Sequence, residues 1–244
     1  MSNNNNGYWE GDLVMKRKWY IVFIISSIVI ILLIYNITSY YYSYKKDLEF
    51  KERIAGYDFE KLKEINSDVV GYIEVDNTKV SYPVVKTNNN SYYLNHTYTK
   101  EKSEIGSIFL DYRNDLDNLS KNNIIYGHGR LDNSMFGSLN NLLDKEKLSN
   151  KDNYYITVTT PKSIMTFKIF SVYTIDKESY YIKTYFSNNK YFKEFLETIM
   201  KRSIYNFKTD VNTSDKILTL STCKDNFGKR VVVHAKLLKK EETS

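Results

Sequence analysis

From Val69 onward the chain is a series of short apolar runs, rich in β-branched and aromatic residues and broken by turn formers. "VVGYIEV" (69–75) and "KVSYPVV" (79–85) are separated by "DNT", a hairpin spacing. "SIFLDY" (107–112), "NIIYGH" (123–128), "YYITVTT" (154–160) and "IMTFKIFSVYTI" (164–175) continue the series, the last two joined by the short turn "PKS". "KILTLSTC" (216–223) and "RVVVHAKLL" (230–238) close it. Eight such segments in one unit must pair off their edges, and the usual solutions are a sandwich or a closed barrel.

Two stretches break the strand pattern with helical spacing. "SMFGSLNNLLDKEKL" (134–148) repeats apolar residues at Met135, Phe136, Leu139, Leu142 and Leu143. "NKYFKEFLETIMKRSI" (189–204) does so at Phe192, Phe195, Leu196, Ile199 and Met200. Both stripes are expected to face the core. Ahead of the strands, residues 40–66 are polar, with a looser stripe at Leu48, Ile54, Phe59, Leu62 and Ile65 interrupted by Gly56, and read as one or two lead-in helices.

Residues 19–38, "WYIVFIISSIVIILLIYNIT", carry no charge. As a helix this segment is about 30 Å long, the thickness of a bilayer core. Trp19, Tyr20 and Tyr35 stand where interfacial aromatics belong, and "KRK" (16–18) flanks the N-terminal side. No small-residue cleavage site follows, so the segment reads as an uncleaved anchor. The basic block favours an N-terminus inside and the remaining chain outside, although Lys45 and Lys46 on the far side offset that bias. The expected organisation is a tail at 1–18, an anchor at 19–38, a helical lead-in at 39–66 and a catalytic or binding domain at 67–244.

The formal charge of +6 is spread along the chain, and its lysine clusters are short, which argues against nucleic acid as a partner. A basic surface outside a cell also suits an anionic wall or membrane. The chain has one cysteine, so no internal disulfide can form, and three scattered histidines lack any metal spacing. No cofactor and no metal are implied.

That cysteine, Cys223, ends a strand candidate, and Arg230 begins the next after the turn-rich "KDNFGK". Alternation puts Ile217, Thr219, Ser221 and Cys223 on one face. An antiparallel hairpin sets Cys223 and Arg230 opposite each other, with Cα atoms about 4.5–5.5 Å apart. A guanidinium there can favour a thiolate and stabilise an oxyanion. A nucleophilic cysteine also needs a proton shuttle. His234 lies within a strand and reads as structural; His96 lies in a loop-like or helical stretch. His128 ends a β-branched run between two glycines, which leave room for a substrate backbone, and is the best-placed candidate. Pattern alone also allows the plain alternative, a small buried cysteine in an anchored extracellular binding domain.

"TLSTC" followed by an arginine and "VVVHAKLL" resembles the active-site signature of the sortases, class B in particular. The resemblance runs in the family's order through "YYLNHTYT", "GSIFLDYRN", "NIIYGHG", "NSMFGSLNNLL" and "YYIKTYF", and spans most of residues 60–238. It implies a mainly β fold: a closed eight-stranded barrel with N-terminal helices and a helix in the insertion before the seventh strand. It implies a cysteine transpeptidase that joins surface proteins to the cell wall of Gram-positive bacteria. Cys223 is then the nucleophile, His128 the general acid/base and Arg230 the oxyanion or substrate-carbonyl ligand. Ser221, Leu94, Tyr181 and Ile182 match substrate-groove positions. The implied partners are sorting-signal peptides of the Asn-Pro-x-Thr type and an amine from peptidoglycan or its lipid-linked precursor. Lys224 stands where some class B relatives carry an acidic residue, and Asp225 is close enough in sequence to suggest a third catalytic member. Other extracellular cysteine acyl-transferases fit less well. L,D-transpeptidases carry a glycine before the cysteine, where this chain has Thr222, and papain-like enzymes place the cysteine before the histidine.

Overall fold

The computed structural model describes residues 17–38, 58–144, 154–176, 178–223 and 229–242. Arg17–Thr38 is one continuous helix, α1, long and apolar enough to cross a membrane. Its two serines and its terminal threonine turn their hydroxyls back onto carbonyls of the preceding turn, so the polar atoms are satisfied within the helix.

The second compact unit begins at Tyr57. Helix α2, Phe59–Ile65, starts where the Asp58 carboxylate accepts the Lys61 N–H. Phe59 is buried and Leu62 packs beside it, but Ile65 is 53% exposed, so the expected stripe stops one turn early. Leu48 and Ile54 lie outside the described residues.

All eight strands form where their apolar runs fall: β1 Val69–Val75, β2 Ser81–Val85, β3 Ile108–Leu110, β4 Asn122–His128, β5 Tyr155–Thr159, β6 Ser163–Ile175, β7 Ile217–Cys223 and β8 Arg230–Glu242. They close into a barrel in the order β1-β2-β3-β4-β7-β8-β6-β5. Closure gives every strand a neighbour on both sides, which settles the choice between sandwich and barrel. The hairpins β1–β2 and β5–β6 are antiparallel, as their short turns require. Two pairings are parallel, β2 with β3 and β4 with β7, and each needs a long crossover. The first crosses through residues 86–107, which include a 3₁₀ turn at Tyr92–Leu94; the second carries β5, β6 and a helical insertion.

The barrel interior is filled from inward-facing positions such as Ile73, Val84, Leu110, Ile125, Val158, Phe167, Leu218, Leu220 and Val233. The "GSLNNLL" segment caps it as a 3₁₀ helix, Gly137–Leu143, in place of the expected α-helix; residues 145–148 lie outside the described residues. Its buried anchors Phe136, Leu139 and Leu142 recur every third residue, the 3₁₀ period, and Met135 ahead of it has φ +50° and is not helical.

A second apolar cluster lies between the barrel and helix α3, Asn189–Arg202, which sits before β7. The Asn188 side chain caps α3 by accepting from Tyr191 N–H. Phe192, Phe195, Leu196 and Ile199 face inward, whereas Met200 is partly exposed at the edge of the stripe. Phe195 packs among Tyr180, Phe186, Phe192 and the His234 ring.

Beneath α3 runs a buried polar chain. Asn122 Nδ2 donates to the carbonyls of Tyr181 and Lys183, and its Oδ1 accepts from Thr219 Oγ1 at 2.6 Å. Because the single Thr219 hydroxyl proton is engaged there, His234 Nδ1–H donates to Thr219 Oγ1, and His234 Nε2 accepts from Tyr173. His234 is thus held neutral, as its placement within β8 suggested for a structural residue. Full burial, with the nearby Arg202 charge, pushes it down from 6.5 to about 3.

Phe195→Ala removes the ring that joins α3 to this layer and should cost about 3–5 kcal/mol of stability, read by urea denaturation. His234 is depressed in the folded state, so its contribution is fully present above pH 6.5 and is lost as pH falls toward about 3. The urea midpoint should therefore drop between pH about 7 and about 5, and His234→Gln should flatten that slope whatever it does to stability at neutral pH.

Candidate active site

The parallel pairing of β4 with β7 runs in register from Asn122↔Ile217 to His128↔Cys223, so the two residues end neighbouring strands side by side. On the other flank, β7 pairs with β8 from Ile217↔Lys236 to Ser221↔Val232. Extending that antiparallel register by two positions brings Cys223 opposite Arg230. Beyond the last ladder pair, the Thr222 hydroxyl accepts the Val231 N–H at 2.9 Å and carries the pairing onward. Three residues distant in sequence thus end three adjacent strands, β4, β7 and β8. Lys224 and Asp225 lie outside the described residues.

A cavity of about 390 Å³ opens at this end of the strands. Phe109, Tyr126, His128, Ser221, Thr222 and Arg230 line it from β3, β4, β7 and β8. Asn90 and Leu94 contribute from the β2–β3 connection, and Ile182 from a 3₁₀ turn at Tyr180–Ile182 between β6 and α3. Of the four expected groove residues, Leu94, Ile182 and Ser221 line the cavity. Tyr181 does not: it is fully buried, with its hydroxyl 3.0 Å from Ser221 Oγ and 3.2 Å from Arg230 Nη1, which donates to it. Tyr181 holds the guanidinium from below and presents no free surface.

His128 Nε2 lies 2.6 Å from the Leu94 carbonyl oxygen. A carbonyl can only accept, so Nε2 carries the proton and Nδ1 is the nitrogen left to exchange one. Gly127 does not leave the room that the sequence suggested. Neither glycine beside His128 takes a left-handed conformation, and the space at Gly127 is filled by the protein itself: a Cβ there would lie 2.3 Å from Ile108 Cδ1 and 2.9 Å from Phe136 Cγ.

One group that the sequence reading passed over organises the cavity. Asp111, fully buried at the end of β3, takes a two-pronged contact from Arg113, with Nε–Oδ1 and Nη2–Oδ2 both 2.8 Å. Its Oδ2 also accepts from the Tyr126 hydroxyl and from Asn90 Nδ2, each at 2.9 Å. Arg113 Nη2 goes on to the Ile182 carbonyl at 2.9 Å. Three lining residues from three segments are therefore fixed to one carboxylate. Burial pushes the Asp111 carboxyl up, but the Arg113 hydrogen bonds and charge and the Tyr126 hydroxyl more than offset this and hold it below 3.8. Burial and the adjacent Asp111 charge push the Tyr126 phenol well above its usual range, so it stays a donor. "DYR" within "SIFLDYRN" was the available signal, an acid and a base two residues apart at a strand end.

Among the described residues, no group of three His, Cys, Asp or Glu side chains is placed to hold a metal ion. The chemistry on offer is that of a histidine and an arginine lining a mostly apolar cleft, beside the end of the strand that carries the cysteine.

Comparison with known proteins agrees with this geometry. The family model for the sortase domain matches residues 73–238. Sortase B of Listeria monocytogenes is 39% identical over 183 residues, 73% of this chain and 73% of that protein. A solved Staphylococcus aureus sortase B–substrate complex superposes with a TM-score of 0.69 at 37% identity, covering 74% of this chain and 84% of the other. A sortase B crystal structure complexed with triglycine gives the same TM-score and identity over 74% and 85%. The strand register that joins His128 to Cys223 and Arg230, the eight-stranded barrel around it and these matches lead to one conclusion: the chain belongs to the sortase family, in its class B, and is a cysteine transpeptidase of cell-wall sorting.

Proposed function

We propose that this enzyme cleaves a C-terminal sorting motif of the Asn-Pro-x-Thr type after its threonine and passes the acyl group to a peptidoglycan amine, through a thioacyl intermediate on Cys223. The in-register pairing of His128 with Cys223 across β4 and β7 carries this reading. The Cys223 thiolate attacks the threonine carbonyl carbon, and the carbonyl π electrons move onto oxygen, where the Arg230 guanidinium stabilises them. His128 Nδ1 takes the proton that the Cys223 thiol gives up in becoming the thiolate, and passes it to the departing amine as the C–N bond breaks. The acceptor amine then attacks the thioester, His128 takes back a proton, and the thiolate leaves. Leu94 and Ile182 contact the motif directly, while Ser221 and Tyr181, both fully buried, back the cavity and set the arginine.

A sortase B complexed with triglycine supports an amine of the glycyl type as acceptor, from peptidoglycan or its lipid-linked precursor. The apolar helix α1 supports an anchored topology, with residues 1–18 inside, 19–38 in the membrane, 39–66 as lead-in and the catalytic domain 67–244 outside.

Intact-mass spectrometry of the purified chain, mixed with a panel of Asn-Pro-x-Thr and Pro-Pro-x-Thr peptides, tests the chemistry. The expected result is an adduct of the cleaved peptide on Cys223, released by hydroxylamine and absent in Cys223→Ala. A folded protein that forms no adduct and whose thiol resists alkylation would instead be an anchored binding domain with an inert cysteine. The clamp at Asp111 makes a second outcome specific. Arg113→Lys keeps the charge but loses the fork that reaches both the carboxylate and Ile182. The KM for the sorting peptide should rise roughly tenfold, with kcat little changed, in steady-state assays.

A further inference from the structure

The geometry points to Gly106 as a positioning residue for His128, acting through the Leu94 carbonyl; this rests on the reading of His128 as the proton-exchanging group. The Leu94 carbonyl that takes the Nε2 proton belongs to the Tyr92–Leu94 turn. Residues 103–107 fold back over that turn and fasten it. Ser103 N–H donates to the Asn95 carbonyl at 2.9 Å, Ser107 N–H to the Tyr93 carbonyl at 3.0 Å, and Ser107 Oγ to the His96 carbonyl at 2.8 Å. Between these ties lies Gly106, at φ +63°, the one glycine with positive φ among the described residues.

A Cβ at Gly106 would lie 2.7 Å from His128 Cδ2 and 2.8 Å from the carbonyl oxygens of both Leu94 and Tyr93. All three contacts are shorter than van der Waals distance, and two of the atoms are backbone, which cannot swing aside as a side chain can. The missing side chain therefore allows one stretch of main chain to press on the edge of the imidazole and on the carbonyl that the imidazole bonds. With both held, Nε2–H has a fixed acceptor and Nδ1 keeps its direction. Any larger residue must push the ring from the carbonyl or the carbonyl from the ring. The Nε2–H tautomer then loses its preference, and the proton is exchanged from a displaced nitrogen.

Nitrogen-15 NMR of the full chain in detergent, labelled at histidine, reads the tautomer directly. There are three histidines, His128→Gln assigns the relevant one, and buried His234 reports on the fold. In the native chain at alkaline pH, His128 should show the Nε2–H pattern. In Gly106→Ala it should show a mixture with Nδ1–H while the His234 signals stay in place. The kcat for thioacyl formation should fall about 100-fold, with KM within about threefold. Ser107→Ala removes only the hydroxyl tie and should give the same drift in tautomer with a loss of about two- to fivefold in kcat; it decides the matter if Gly106→Ala does not fold. Native tautomer and native kcat in the folded variants, with His128→Gln inactive, would overturn the positioning role and leave the acid/base reading standing. Native activity in His128→Gln would overturn the acid/base reading and the positioning role together.

Discussion

Everything at the active end of the barrel depends on the parallel pairing of β4 with β7. The sequence separation between these strands is long, and the connection contains two further strands and a helix. Such a pairing costs loop-closure entropy before it returns any contact. It is held by strand interiors buried on both faces, Leu218 and Leu220 in the barrel and Ile217 under α3, and by Asn122 and Asn123 reaching across to β7 side chains and backbone. A one-residue slip in this ladder would exchange the two faces and separate His128 from Cys223. The register that packs the core is thus the register that assembles the site.

Around that ladder, two of the buried polar groups serve the turn at Tyr180–Ile182. Asn122, with Thr219 and His234 behind it, grips the Tyr181 and Lys183 carbonyls from below. Arg113, held by Asp111, grips the Ile182 carbonyl from the cleft side. A short 3₁₀ turn has little cohesion of its own. Here the carbonyls of Tyr181 and Ile182, and that of Lys183 just after the turn, are each fixed from outside, which lets an irregular connection serve as the wall of a cleft.

Much of the fold was legible because strand formation here is local. Runs such as "RVVVHAKLL" and "KILTLSTC" announce themselves by β-branched residues, and pairing them as sequence neighbours is enough to set Cys223 against Arg230. The helical segments were less well read. Over seven residues a repeat of three and a repeat of 3.6 look alike, so the cap at Gly137–Leu143 passed for an α-helix. Ile65 and Met200 sit at the ends of their stripes, where the helix has turned from the core. Tyr181 reads as a groove residue in the sequence, but its burial depends on α3 and β7, which no local pattern describes. Asp111 was missed because its partners Asn90, Tyr126 and, through Arg113, Ile182 lie 21, 15 and 69 residues from the groups they bond.

Arg113 holds residue 182 by its main-chain oxygen and makes no demand on the side chain there. The clamp thus sets the backbone at that point of the cleft, while the Ile182 side chain is set separately, by packing against two apolar clusters. An exchange at 182 leaves the clamp intact but must still satisfy both apolar clusters, so side chains of similar volume fit there best. Asn90, whose amide is committed to Asp111 and whose carbonyl oxygen is committed to the Tyr112 N–H, has less latitude still, because its side chain itself carries the bonds that hold the wall.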